Sequence, residues 1–134
     1  MKYFTEKELG IENASAIIKK NMEQLVNNIL DPLREKVGAI RITSGYRTPA
    51  YNKQIGGATN SQHCKGEAVD IFPLEKDIDD VFAMIIREFK YDQVIIERNS
   101  RGSRWIHISY KAEGNRQKAM TASVTNGKAI YKNV

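Results

Sequence analysis

The sequence predicts an α+β fold, a mainly antiparallel sheet flanked by helices, on three observations. An apolar stripe at helical spacing runs through the first quarter of the chain. Short alternating segments bounded by turn residues follow it, and the last third contains two hairpin patterns. The chain has 134 residues, of which 41% are hydrophobic and 28% charged. That composition suits an ordinary globular protein, and the length suits one domain with a real core rather than two.

The elements follow in order. Thr5 and Glu8 have the capping-box spacing and predict a short helix. A longer helix is expected from about Ala14, because Ile18, Met22, Leu25, Ile29 and Leu33 recur at steps of three and four. Pro32 should kink that helix or open a new turn with Asp31 as its cap, and Gly38 should end it. The segment 39–43 alternates and predicts a strand. Thr48 and Pro49 read as the cap and first residue of a helix that stops near Ile55 at Gly56-Gly57. Residues 67–72 predict a strand ended by Pro73, with Ala68 and Asp70 on one face. Asp77 should cap an amphipathic helix that turns Ile78, Val81, Ile85 and Phe89 inward. Residues 91–97 and 104–110 pair as a hairpin around 99–102, which places Trp105, His107 and Ser109 on one face. Asn126-Gly127 predicts a second hairpin, between 121–124 and 129–132.

Several classes are excluded by composition. No apolar run approaches the roughly 18 residues a membrane helix needs, so no membrane partner is expected. The N-terminal residues have no apolar core of a signal peptide. The net charge of +5 would suit an acidic partner, but the basic residues are scattered without interleaved aromatics, so no nucleic-acid partner is expected. A single cysteine, Cys64, excludes an internal disulfide. It neighbours His63, and adjacent side chains in an extended segment face opposite ways, so it is not expected to share a ligand set with that histidine.

The chemistry concentrates in residues 61–70 and 104–109. The only two histidines, His63 and His107, lie there. With Asp70 they make three protein donors, the number a catalytic zinc site uses while leaving one position for water. His63 and Asp70 are seven apart, so one regular strand would put them on opposite faces, and Lys65-Gly66 must break the strand between them.

Three motifs occur in order: Ser44-Gly45-Tyr46-Arg47, then Ser61-x-His63-x-x-Gly66-x-Ala68-x-Asp70, then Trp105-x-His107-x-Ser109. Together with Leu30 to Arg34 and the segment from Gly56 to Ser61, they resemble the zinc D-alanyl-D-alanine carboxypeptidases and murein endopeptidases, which share a fold with the amino-terminal hedgehog signalling domain. The similarity runs from about Phe4 to Tyr110 and leaves 111–134 as a C-terminal hairpin extension.

The resemblance implies a Zn2+ cofactor on His63, Asp70 and His107, a substrate carboxylate paired with Arg47, and a hydrogen bond from Ser61 in the same region. Trp105, Tyr46 and Gln62 would line the groove, with the Tyr46 hydroxyl available to an oxyanion. Many relatives carry an acidic base three residues before the last histidine, where this chain has Arg104, which cannot accept a proton. The stretch 91–97 looks like the hedgehog-type and phage-type arrangement, in which the glutamate ends the preceding strand. Glu97 can then lie across the hairpin from Trp105 or His107 and serve as general base.

The expected function is hydrolysis of an amide in peptidoglycan stem peptides by a monomeric zinc peptidase, released in a phage or prophage setting as an endolysin. Both D-Ala-D-Ala carboxypeptidase and L-Ala-D-Glu endopeptidase activity fit. An inactive zinc-containing binding module of the hedgehog-like fold is the alternative, and a phage structural protein with a vestigial site is a more distant one.

Overall fold

The computed structural model describes residues 1–134. Its centre is a six-stranded sheet of β1 (Ile40–Ser44), β2 (Ala68–Pro73), β3 (Gln93–Asn99), β4 (Arg104–Ser109), β5 (Lys118–Thr125) and β6 (Lys128–Asn133). The spatial order is β1-β2-β4-β3-β5-β6. Every neighbouring pair is antiparallel except β3 and β5, which run parallel. The α+β class holds, while the parallel pair was not expected. The chain leaves β4, passes the start of β3 and adds β5 on that strand's far side.

One sheet face carries Val69, Ile71, Val94, Ile106 and Ile108, all fully buried with the helices' apolar residues. The helices are α1 (Glu6–Leu9), α2 (Ala16–Leu25), α3 (Asp31–Val37), α4 (Pro49–Gln54) and α5 (Ile78–Glu88). Met22, Leu25, Ile29 and Leu33 are fully buried as the stripe requires, with Ile18 packed at its edge. In α5, Ile78, Val81, Phe82 and Ile85 are buried, and Phe89 packs on the cluster as a partly buried residue. The Thr5–Glu8 capping box and the Ser15, Thr48 and Asp77 caps form from side-chain oxygens to backbone amides. No helix is long and apolar enough to cross a membrane.

One local expectation is corrected. Pro32 falls in the first turn of a new helix, α3, as expected, but that turn has no side-chain cap. Between α2 and α3 the residues Val26–Leu30 form a π-helical turn, and the Asp31 amide bonds back to the Val26 carbonyl. The proline, which lacks an amide hydrogen, follows this wider turn at the start of α3. Asp31 does not cap this helix. Its carboxylate instead accepts the Lys2 and Tyr3 amides at 2.7 and 3.2 Å and ties down the N-terminal segment.

His63 lies in a single 3-10 turn, Gln62–Lys65, rather than in a strand. The turn ends at Gly66, which has φ +71°. This is the break that the odd spacing to Asp70 demanded. A Cβ on Gly66 would lie 2.7 Å from the Ile18 carbonyl oxygen, so both the left-handed backbone and the close approach to α2 require glycine. Gly66→Ala is expected to cost about 2–3 kcal/mol, combining left-handed strain with a backbone clash. Urea denaturation should show a lowered midpoint at an unchanged m-value.

Candidate metal centre and cleft

The opposite face of the sheet is the floor of a cleft of about 890 Å³. Register places Asp70 beside His107 across β2 and β4, His107 beside Ile95, and Trp105 beside Glu97 across β4 and β3. Strand alternation aims all of them at the cleft, while Ile106 and Ile108 fill the core behind. The turn carrying His63 approaches from the side. Its Ser61 hydroxyl caps the turn by accepting the His63 amide at 3.2 Å.

The three donors converge on one point. His63 Nε2 lies 3.3 Å and His107 Nδ1 lies 3.1 Å from the same Asp70 oxygen, Oδ1. All three donor atoms fall within 4.8 Å of one another, and the two rings meet edge to face at 5.2 Å between centroids. His63 Nδ1 donates to the Gly45 carbonyl at 2.8 Å. That bond fixes the ring and leaves Nε2 as the nitrogen facing Asp70, as a metal-ligating histidine is held by its outer partner. Two imidazole nitrogens and one carboxylate oxygen, buried and aimed inward, fit a zinc ion with a free position.

Burial alone would raise the Asp70 carboxyl, but hydrogen bonds and charge from His107 and His63 overcome it and hold the group well below the usual carboxylate range. Burial works in the other direction on His107. There the Asp70 hydrogen bond and charge, aided by Glu97, prevail and raise its pKa. The acid thus stays ionised and ready to ligate.

Glu97 faces the same cleft. Trp105 Nε1 donates to its Oε1 at 2.7 Å, which orients the carboxylate and leaves Oε2 for the cleft. Burial raises its pKa, reinforced by the Asp70 charge and opposed by His107 and the Trp105 bond. Arg104, at the position many relatives reserve for an acid, turns away to Asp79 at 2.9 Å.

Arg47 lines the cleft wall. It donates to Ser44 at 3.1 Å, Asn52 at 3.3 Å and Asp70 Oδ2 at 3.5 Å. Ser61, Gln62 and Trp105 also line the cleft. Tyr46 does not: it packs, partly buried, against the hydrophobic core. Its neighbour Gly45 abuts the Leu9 carbonyl, and the Tyr46 amide bonds to that same carbonyl, so this segment is drawn toward α1. Cys64 stands outside the donor cluster.

The cleft also contains residues that sequence reasoning missed. Arg116, Lys118, Met120, Gly127 and Tyr131, all C-terminal to the recognised motifs, help to line it. Alternation along 118–124 was a visible signal of a two-faced strand, but nothing local announced a partner in β3.

Three convergent donors and a half-buried glutamate in one cleft, on the open face of an α+β sheet, define a metal-dependent hydrolase site. The family model for peptidase M15 matches residues 2–109, and the chain belongs to that family. Its members are zinc-dependent, so the chain is a zinc metallopeptidase with a donor set that fits its metal. Comparison with curated proteins returned no match.

The tail is anchored to this site through Asp92, whose side chain is fully buried. Asp92 accepts Arg116 Nε at 3.0 Å and Nη2 at 2.7 Å, and Gln62 Nε2 at 3.0 Å. Burial would raise its carboxyl, but the Arg116 and Gln62 bonds lower it from 3.8 to about 2. A depressed folded pKa contributes stability that is complete above the unfolded value and fades as pH falls through the folded one. Wild type should therefore lose on the order of 2 kcal/mol between about pH 5 and pH 2 that Asp92→Asn, already destabilised at neutral pH, does not lose. The difference between their denaturation midpoints across that range is the measurement.

Proposed function

We propose that the enzyme hydrolyses an amide bond in bacterial peptidoglycan stem peptides, with His63, Asp70 and His107 as its zinc ligands and Glu97 as its general base. The observation that carries this reading is the arrangement of Glu97. It is half-buried in the same cleft as the donor triad, is oriented by Trp105, and has one carboxylate oxygen left toward the cleft. A binding module that kept a metal for structure alone would need no such group.

Zinc in such a site polarises the scissile carbonyl and brings the pKa of water to about 7. The chain's own residues do the rest. Glu97 accepts the proton of the attacking water and returns it to the leaving amine, a role suited to a carboxylate whose pKa burial has raised. Arg47, which lines the cleft, has used three of its five N–H groups and keeps two for a carboxylate of the substrate. Peptidoglycan stems are rich in such carboxylates. Ser61, its oxygen occupied by the His63 amide, keeps its hydroxyl hydrogen for the substrate backbone. Trp105 forms a wall shared with a second depression containing Arg41, Phe72 and Lys76. In this reading the whole chain, 1–134, acts as one catalytic unit. It works as a monomer at the cell wall, and a phage-type lytic role suits the compact arrangement.

Glu97→Gln should lower kcat on purified peptidoglycan by about 10²–10⁴-fold while bound zinc stays at one equivalent. His63→Ala and Asp70→Asn should lose the metal itself. A chelator should abolish peptide release and added zinc restore it, read by mass spectrometry with metal analysis of the same sample. Stoichiometric zinc without release from several wall types would favour the inactive module.

A further inference from the structure

We infer that the C-terminal hairpin, through Lys118 with Gln93 beside it, forms a subsite for a substrate carboxylate lying within about three residues of the bond that is cut. The inference rests on the peptidase reading above and adds a specificity determinant from outside the region the family model covers.

The sheet puts these two residues together. Gln93 of β3 pairs with Lys118 of β5, and both line the cleft. Three cations line the cleft, and two are already committed. Arg47 lies against Asp70 and Arg116 against Asp92. Lys118 has no carboxylate within ion-pair distance, and the Gln93 carboxamide makes no hydrogen bond within the chain. The backbone amide of Lys118 is pinned to the Asp92 carbonyl, and the Ser109 hydroxyl accepts the Gln93 amide. The strands are therefore fixed while the polar ends of both side chains stay free. An ammonium beside a carboxamide is a cradle for a carboxylate.

Along β3 and β5 from that pair the floor turns apolar. Ile95, Met120 and Ala122 form a small buried cluster of their own, and Tyr131, paired with Ala122 from β6, also lines the cleft. A Cβ on Gly127 at the hairpin tip would lie 3.7 Å from the Gly56 carbonyl oxygen, so the tip meets the loop that follows α4. That contact lies at the far end of β5 from Lys118, with the apolar residues along the strand between them. A carboxylate with a small apolar neighbour suits this floor. Lys118 lies two strands across and two residues along from His107, about 12 Å between Cα atoms by strand spacing. An extended peptide covers that in about three residues, and the reach of lysine shortens it.

A carboxylate at such a place can be a chain terminus or a side chain. The test uses zinc-loaded enzyme and soluble stem peptides in four forms: both carboxylates free, the C-terminal one amidated, the glutamate one amidated, and both amidated. In wild type, amidation of the carboxylate held by Lys118 should raise KM about tenfold with kcat within twofold. Lys118→Gln should raise KM for the free form equally and erase that one effect, and the position whose effect it erases names the source; an effect that Lys118→Gln leaves intact belongs to the carboxylate at Arg47. Lys118→Arg should restore the erased effect, with zinc content unchanged throughout. Retention of every amidation effect in Lys118→Gln, or the absence of any in wild type, would overturn the subsite. Should zinc-loaded wild type cleave none of the peptides, the peptidoglycan reading fails separately. Calorimetric binding of the same four peptides then decides the subsite by the same acid-over-amide criterion.

Discussion

The structure depends on one buried carboxylate. Asp70 sits on a strand fully enclosed by the sheet, with its side chain 9% exposed. A carboxylate placed there alone would be costly, because an isolated charge loses its hydration in a low-dielectric interior. Three cationic or proton-bearing groups close around it: His63, His107 and Arg47. Each comes from a different part of the chain, so the fold must deliver a 3-10 turn, a strand and a strand-to-helix turn to the same few ångströms. The two imidazoles share one oxygen and the guanidinium takes the other. The oxygen facing the histidines is therefore the one a metal would share, and the arginine balances charge without occupying the ligand position. Metal and proton compete for the same lone pairs here, and this couples zinc affinity to pH.

Delivering those groups explains several otherwise odd features. The register of β1 on β2 shifts between Ile42 and Ser44, opposite Asp70. The chain then leaves the sheet through Gly45, whose carbonyl holds the His63 ring, while Arg47 follows two residues later. The Arg47 amide bonds to the His63 carbonyl, so the arginine segment and the histidine turn are tied through backbone as well as side chains. Asn52 adds a further link, accepting Arg47 with its side-chain oxygen and donating to the Ala58 carbonyl at 2.7 Å. These contacts preorganise the site on rigid elements, which catalysis by positioned charge requires.

Much of this was readable from residues. Caps, glycine stops and alternation located nearly every element, because local chemistry decides them. The odd spacing between His63 and Asp70 required a break, and Gly66 supplies it in a left-handed conformation. The hairpin register that places Glu97 opposite Trp105 followed from a short turn. What failed was tertiary. Asp31 has the residue type of a cap, yet its carboxylate serves the distant amides of Lys2 and Tyr3, a contact no local pattern encodes. Tyr46 stands next to Arg47 in a motif that contributes to the site, but the chain turns sharply there and the core claims the ring. Residue type and spacing specify a turn; which side chain wins the interior depends on what packs above it.

The C-terminal hairpin shows the same limit at larger scale. Without it, β3 would be the edge of the sheet, presenting Ile95 and the unpaired backbone of a strand that carries Glu97, a template for unwanted pairing. Adding β5 in parallel covers that edge and extends the cleft floor by two strands. The parallel direction is forced by the path. A chain that leaves β4 and passes the start of β3 can only run alongside it, and the passage is fastened there by Gln117 to Tyr91 and Phe89 and by Arg116 to Asp92. Asp92 also holds Gln62, next to His63. One buried acid thus joins the tail to the turn that carries His63 to the donor cluster. The hairpin is therefore bound up with the integrity of the active cleft, so changes there should be felt as altered substrate selection as well as lost stability.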